Sequence, residues 1–133
     1  KSAVSFKESD SSSSSDSGNG SMVSYAMQFL GNRYVWGGTS LTNGTDCSGF
    51  TMGIYRHFGI SIPRTSAAQA SASRSVKSSE VRPGDLFFYG SGHVSHVAMY
   101  IGGGKIIHAS NARDGIKISN AYYRKPLKIG RFS

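Results

Sequence analysis

The spacing of apolar residues changes once along this chain, at Arg82-Pro83-Gly84-Asp85, and no other feature narrows the possible folds as far. Upstream, apolar residues recur at helical intervals. Ser21 is placed to cap a helix carrying Val23, Ala26, Met27 and Leu30, with Gly31 in position to end it. A second helix opens at Cys47 and runs to Phe58, with Phe50, Thr51, Ile54, Tyr55 and Phe58 on one stripe and Gly59 as its stop. Thr65 caps a short alanine-rich helix from Ser66 to Ala72, and the polar stretch from Ser73 to Glu80 reads as loop. Downstream the period falls to two. Leu86-Phe87-Phe88-Tyr89 reads as a buried strand, Ser95 to Ile101 alternates, and Gly102-Gly103-Gly104 turns; Lys105 to Ala109, Gly115 to Ser119 and Leu127 to Phe132 complete the set. Helices followed by an antiparallel meander define an α+β fold, with the helices packed on a sheet of about five strands.

Composition sets the outer limits. The chain has 133 residues, enough for one domain, but its first twenty have little to bury. Ser2 to Gly20 is dominated by serine, so 1–20 reads as a Ser/Gly-rich flexible linker tethering the domain of 21–133 to something upstream. Lys1 and Lys7 against Glu8, Asp10 and Asp16 leave that tail at −1; with +8 for the whole chain, the remainder carries +9. Such an excess draws a protein toward polyanions. The basic residues are dispersed, neither gathered into a helix stripe nor alternated with stacking aromatics, and no nucleic acid is expected as partner. One cysteine permits no intramolecular disulfide, so the core alone must hold the fold. No apolar run approaches the ~20 residues of a transmembrane helix. The chain begins at lysine and reads as a piece of a longer protein, with any export signal outside it.

Asp46-Cys47-Ser48-Gly49-Phe50 holds the cysteine, where a glycine- and threonine-rich loop gives way to the second helix. A cysteine there meets the positive end of the helix dipole and unsatisfied backbone N–H groups, which favour thiolate over thiol. An arbitrary cysteine is more often a small buried hydrophobe. Polar flanks at Asp46 and Ser48, the close approach that Gly49 permits, and histidines on downstream strands point instead to a site. His57, ten positions on, is nearly three helical turns away and is expected at the surface.

Period two puts His96, Ala98 and Tyr100 on one face of their strand and Val97, Met99 and Ile101 on the other, while Ile106 and His108 share a face of the next. Joined through a turn centred on Gly102, the strands make His96 and His108 cross-strand neighbours. A thiol nucleophile, His96 as base and His108 as the group that fixes its ring are the parts of a cysteine hydrolase. Tyr34, thirteen residues before Cys47 in a segment expected to fold back beside it, is either an oxyanion donor or a packing aromatic.

Tyr34-Val35-Trp36-Gly37-Gly38, Asp46-Cys47-Ser48-Gly49-Phe50, Arg82-Pro83-Gly84-Asp85-Leu86, Ser95 through Gly102 and His108-Ala109-Ser110 occur in the order seen in the NlpC-type family of bacterial cell-wall cysteine peptidases, which the chain resembles over about Ser21 to Phe132. The resemblance implies a papain-like domain, exported to the cell wall. It also implies a peptidoglycan hydrolase cutting stem peptides at the bond between γ-D-glutamate and the following diamino acid, diaminopimelate or L-lysine. By position it makes Cys47 the nucleophile, His96 the base, His108 the third polar residue and Tyr34 an oxyanion donor. Asp46 and Ser48 match positions that contact a free N-terminal L-alanine in some relatives, and Arg64 is a candidate for pairing with a stem-peptide carboxylate. No cofactor or metal is implied. Ala98 stands where many relatives have glycine, and its methyl is expected to narrow the site.

Three rival readings share these residues. His93, His96 and His108 could ligate zinc, although no HExxH helix accompanies them. A non-catalytic module could bind anionic cell-wall polymer through its +9 charge. A cysteine N-acetylmuramoyl-L-alanine amidase would differ only in the bond cut.

Overall fold

A computed structural model describes residues 20–132, so the expected linker of 1–20 lies, apart from Gly20, outside the described residues. Three helices, α1 (Gly20–Met27), α2 (Cys47–His57) and α3 (Ser66–Ala72), precede the main sheet. A two-stranded hairpin, β1 (Thr39–Ser40) with β2 (Gly44–Thr45), leads into α2. The strands β3 (Arg74–Ser75), β4 (Leu86–Tyr89), β5 (His96–Gly102), β6 (Lys105–Ala109), β7 (Ile116–Asn120) and β8 (Lys128–Arg131) form one antiparallel sheet in the order β3-β8-β4-β5-β6-β7. The α+β expectation holds, with six strands in place of five. The extra strand is β3, a two-residue edge piece that pairs Arg74 with Arg131 and Ser75 with Gly130 inside the stretch expected to be loop.

Both faces of the sheet are covered, which is why Leu86-Phe87-Phe88-Tyr89 is apolar at every position and buried throughout. Leu86, Phe88, Val97, Met99 and Ile107 pack with Phe50, Ile54 and Tyr55 of α2. Phe87, Tyr89, Ala98, Ile106 and Ile129 pack on the other side with Ala121. The alternation read from the sequence thus assigns each side chain of β5 to its correct face.

The helix ends depart from expectation in three places, the first being the start of α1, which begins at Gly20 and so takes Ser21 inside the helix and not at its cap. In α1 the buried positions are Met22 and Ala26, followed by Phe29, while Leu30 is exposed. After Met27 the backbone tightens to three-residue hydrogen bonds, Phe29 N–H to Ala26 O and Leu30 N–H to Met27 O, and this extra rotation turns Phe29 inward and Leu30 out. In α2, Phe58 is the C-cap and half-exposed rather than part of the stripe, because the helix ends one residue earlier, at His57. Thr65 caps α3 as expected, its hydroxyl accepting from Ala68 N–H at 3.2 Å. Among the described residues no helix is long and apolar enough to cross a membrane.

The glycine turn fixes the register that matters most. Gly103 and Gly104 both have positive φ, +61° and +76°, as a two-residue type I′ hairpin turn requires, so the turn is centred after Gly103 and not on Gly102. A bulge between Tyr100 and Gly102 then shifts the pairing, leaving Tyr100 opposite Ile106 and Met99 opposite Ile107. Continued down the ladder, this sets His96 two residues from the position facing His108. The two are diagonal, not directly opposite.

Candidate active site

The start of α2 is built around Asp46. Its Oδ1 accepts from Gly49 N–H at 2.7 Å, which caps the helix, and from the Ser48 hydroxyl at 3.3 Å. Arg64 closes on the same carboxylate with both terminal nitrogens, Nη2 to Oδ2 at 2.9 Å and Nη1 to Oδ1 at 3.2 Å, and Nη1 also reaches the Ser48 hydroxyl at 2.9 Å. Burial opposes ionisation of Asp46, but the Arg64 guanidinium and the Gly49 and Gly37 amides outweigh it and hold its pKa below the usual carboxylate value. The loop carrying Arg64 is fixed in turn by Gln69, fully buried, whose amide donates to Ser48 O at 3.0 Å and Pro63 O at 2.9 Å.

Gly49 earns its place by contact, and the neighbour it admits is this chain's own backbone. A Cβ there would lie 2.4 Å from Gly38 O and 2.6 Å from Thr45 Oγ1. The segment before it therefore lies directly on the first turn of α2. Tyr34 bridges to Thr45, with Val35 N–H donating to Thr45 O at 3.1 Å, so the segment folds back beside Cys47. The Tyr34 hydroxyl is pushed up in pKa by burial and then by the negative charge that Cys47 and Asp46 would carry, which sets it within electrostatic reach of both.

Cys47 is the first residue of α2 and half-buried. Its side chain packs against the core cluster that holds Val97, one residue beyond His96, and the Val97 backbone N–H acts to lower the thiol pKa. The nucleophile candidate thus lies at the start of the helix that packs on β5, the strand whose first residue is the imidazole candidate. Burial raises the thiol pKa, and the Asp46 charge adds to it; the Val97, Ser48 and Cys47 amides pull the other way without prevailing. The expected preference for thiolate is consequently reversed, because the helix-end amides do not offset the loss of water.

His96 Nε2 and His108 Nδ1 are 2.7 Å apart, and His108 Nε2 is 2.9 Å from the Ser119 hydroxyl on β7. Two imidazoles can span the diagonal between β5 and β6 because the rings meet edge to face, 73° apart. Burial pushes the pKa of His96 down to about 4, with the Arg124 charge adding to the effect. Burial and then His96 and Lys117 push His108 down to about 3. The resting pair is two neutral rings. With Nε2 of His96 engaged by His108, its Nδ1 is the nitrogen left to exchange a proton with a thiol.

The other candidates fall elsewhere. His57 is exposed at the far end of α2, stacked on Tyr25 with ring centroids 3.8 Å apart. His93 is exposed in the loop before β5, and no group of three or more His, Cys, Asp or Glu among the described residues is arranged to hold a metal. Ala98 is fully buried against Phe87 and Tyr89, so its methyl fills core and does not narrow a cleft.

Residues 31–129 match the model of the NlpC/P60 family. The chain belongs to the NlpC/P60 family. Among its relatives are the gamma-D-glutamyl-L-lysine dipeptidyl-peptidase of Bacillus cereus, 44% identical over 101 residues (73% of this chain, 30% of that protein), and the probable endopeptidase p60 of Listeria innocua, 43% identical over 103 residues (76% of this chain, 21% of that protein). The chain therefore spans about a fifth to a third of the length of these curated relatives. The crystal structure of the NlpC/p60 domain of the peptidoglycan hydrolase SagA superposes with a TM-score of 0.77 at 36% identity, covering 86% of this chain and 99% of that one.

Two residues at this NlpC/P60 centre were not anticipated from the sequence. Ser119 ends the imidazole relay, and Arg124 acts electrostatically on His96. Ser119 could have been found by continuing the strand alternation across β7, since it lies two residues from Lys117, the partner of His108. Arg124 sits in an irregular segment, where no periodicity marks it.

Proposed function

We propose that this domain is a peptidoglycan hydrolase acting at the cell wall, a cysteine endopeptidase that cuts stem peptides between γ-D-glutamate and the following diamino acid. The observation that carries this reading is the imidazole pair, His96 and His108 2.7 Å apart, with His96 on the strand against which the helix opening at Cys47 packs. The names of the Bacillus and Listeria relatives support the substrate class, and that of the SagA domain supports the wall. The +9 charge beyond the tail favours approach to an anionic wall polymer.

In this mechanism the Cys47 thiol attacks the scissile carbonyl as its proton passes to His96 Nδ1. The carbonyl oxygen becomes an oxyanion stabilised by the Tyr34 hydroxyl, and the imidazolium is stabilised by His108 as its acceptor. Collapse of the tetrahedral intermediate expels the amine, which takes the proton from His96 and leaves a thioester. Water, losing a proton to His96, then releases the acid and restores the thiol. Asp46 and Ser48 lie at the acyl end, where a free L-alanine terminus would arrive, and Arg64 holds Asp46 charged.

The test is mass spectrometry of products from muropeptides of defined sequence. New γ-D-glutamate C-termini are expected with the parent protein and none with Cys47→Ser. Cleavage only on the sugar side of L-alanine would make the domain an amidase, and a Cys47→Ser protein as active as its parent would remove the thiol mechanism.

A further inference from the structure

The segment between β7 and β8 touches the imidazole pair from the side away from α2. Tyr123 packs on His108 with ring centroids 5.8 Å apart and on Tyr89 at 5.3 Å, and Tyr89 in turn lies 6.1 Å from His96. Arg124 follows, with its guanidinium carbon 6.0 Å from the centre of the Tyr89 ring. Such a seat holds a planar cation through the ring quadrupole while leaving its N–H donors uncommitted.

Arg124 is exposed, and no carboxylate among the described residues pairs with it. Three of the four acidic side chains there are taken: Asp46 by Arg64, Asp85 by Arg131, and Asp114 by Arg113 and Lys117. The fourth, Glu80, acts on Arg131.

Two arginines thus border the centre in different states. Arg64 is neutralised by Asp46 and feels the charge that a Cys47 thiolate would carry. Arg124 keeps its charge and is felt by His96. In amide cleavage the acyl half of the substrate bonds to sulfur, whereas the amine half receives its proton from the imidazole. A group beside the imidazole and apart from the thiol meets the amine half. We propose that Arg124, seated on Tyr89, is a specificity residue that binds a carboxylate on the leaving, amine-side fragment of the substrate.

This inference rests on the peptidase reading above, and it explains why a cation stands beside a base that it weakens. A substrate carboxylate cancels the Arg124 charge and so raises the proton affinity of His96 once that substrate is bound. A stem peptide ending at its diamino acid carries such a carboxylate next to the scissile amide; a longer one carries it on its last residue.

The experiment uses the Cys47→Ala protein, which cannot turn substrate over, titrated by NMR with L-Ala-γ-D-Glu-L-Lys bearing either a free C-terminal carboxylate or a C-terminal amide. The carboxylate form is expected to bind about fivefold tighter, the size of an exposed guanidinium–carboxylate pair of good geometry, and to shift the Arg124 Nε–H resonance. Adding Arg124→Gln brings the ratio to about one, and Arg124→Lys keeps part of it. Equal binding of the two peptides, or a preference untouched by Arg124→Gln, overturns the proposal. Turnover by the parent protein separates the two claims: a carboxylate preference without cleavage keeps the subsite and removes the peptidase, while cleavage without the preference does the reverse.

Discussion

Two neutral imidazoles buried side by side make stability depend on pH in a calculable way. In the unfolded chain His96 takes a proton near 6.5, whereas in the folded protein it resists protonation down to about 4. The folded state binds fewer protons across that window, so the stabilisation is fully present above pH 6.5 and is lost as the pH falls toward 4. Each pK unit is worth about 1.4 kcal/mol, so the gap amounts to about 3 kcal/mol. His108 shares its hydrogen bond with His96, so the two contributions overlap and do not simply add. The comparison is the parent protein against His96→Asn/His108→Asn, which lacks both titrating rings and retains His57 and His93. Urea unfolding should be followed by far-ultraviolet circular dichroism, because Trp36, the single tryptophan, is 86% exposed and a poor reporter of unfolding. Between pH 7.5 and 4 the parent is expected to lose about 3 kcal/mol more than the double variant. Parallel curves, within about 0.5 kcal/mol, would mean that the rings are hydrated and would refute the reasoning.

Two further outcomes follow from the start of α2. Gly49→Ala drives a methyl into Gly38 O and Thr45 Oγ1 and should cost about 1–3 kcal/mol by thermal melting, with kcat/KM falling at least tenfold as the Tyr34 segment is displaced; at Gly53 the same change meets only the flexible Leu41 side chain at 3.1 Å and should cost less. Because burial raises the Cys47 pKa, its alkylation by iodoacetamide at pH 7 should be slower than that of a small peptide thiol and still climb where the peptide has levelled off, a difference read from rate against pH.

How far the sequence discloses this molecule depends on whether a feature is local. Thr65 capping Ser66–Ala72, Gly59 following α2 and the in-out alternation of His96 to Ile101 rest on neighbours within a few residues, and each is legible from the chain. The pairing of β3 with β8 is a backbone matter at an exposed edge, and nothing in Arg74-Ser75 announces it. The diagonal of His96 and His108 turns on a bulge near Ile101, which no hydrophobic pattern encodes. Most telling is the thiol. The helix-end position of Cys47 is written in the sequence, but the burial that outweighs it belongs to the packing of α2 on β5.

That reversal changes what the centre must do if the proposed reaction is right. With the thiol raised and both imidazoles lowered, charge separation between Cys47 and His96 is disfavoured from both ends at rest. It becomes affordable only as the imidazolium gains its acceptor in His108, and His108 can accept at Nδ1 only while its own Nε2–H is received by another group. Ser119 supplies that group at 2.9 Å, its hydroxyl oxygen accepting from His108 Nε2–H. The relay from His96 through His108 to Ser119 thus places one acceptor behind another, so that the imidazolium formed at His96 is hydrogen-bonded where water is excluded. A carboxylate in place of Ser119 would raise the basicity of a ring that the fold keeps neutral. The sheet register, set by two glycines and one bulge, is what brings these three side chains into line.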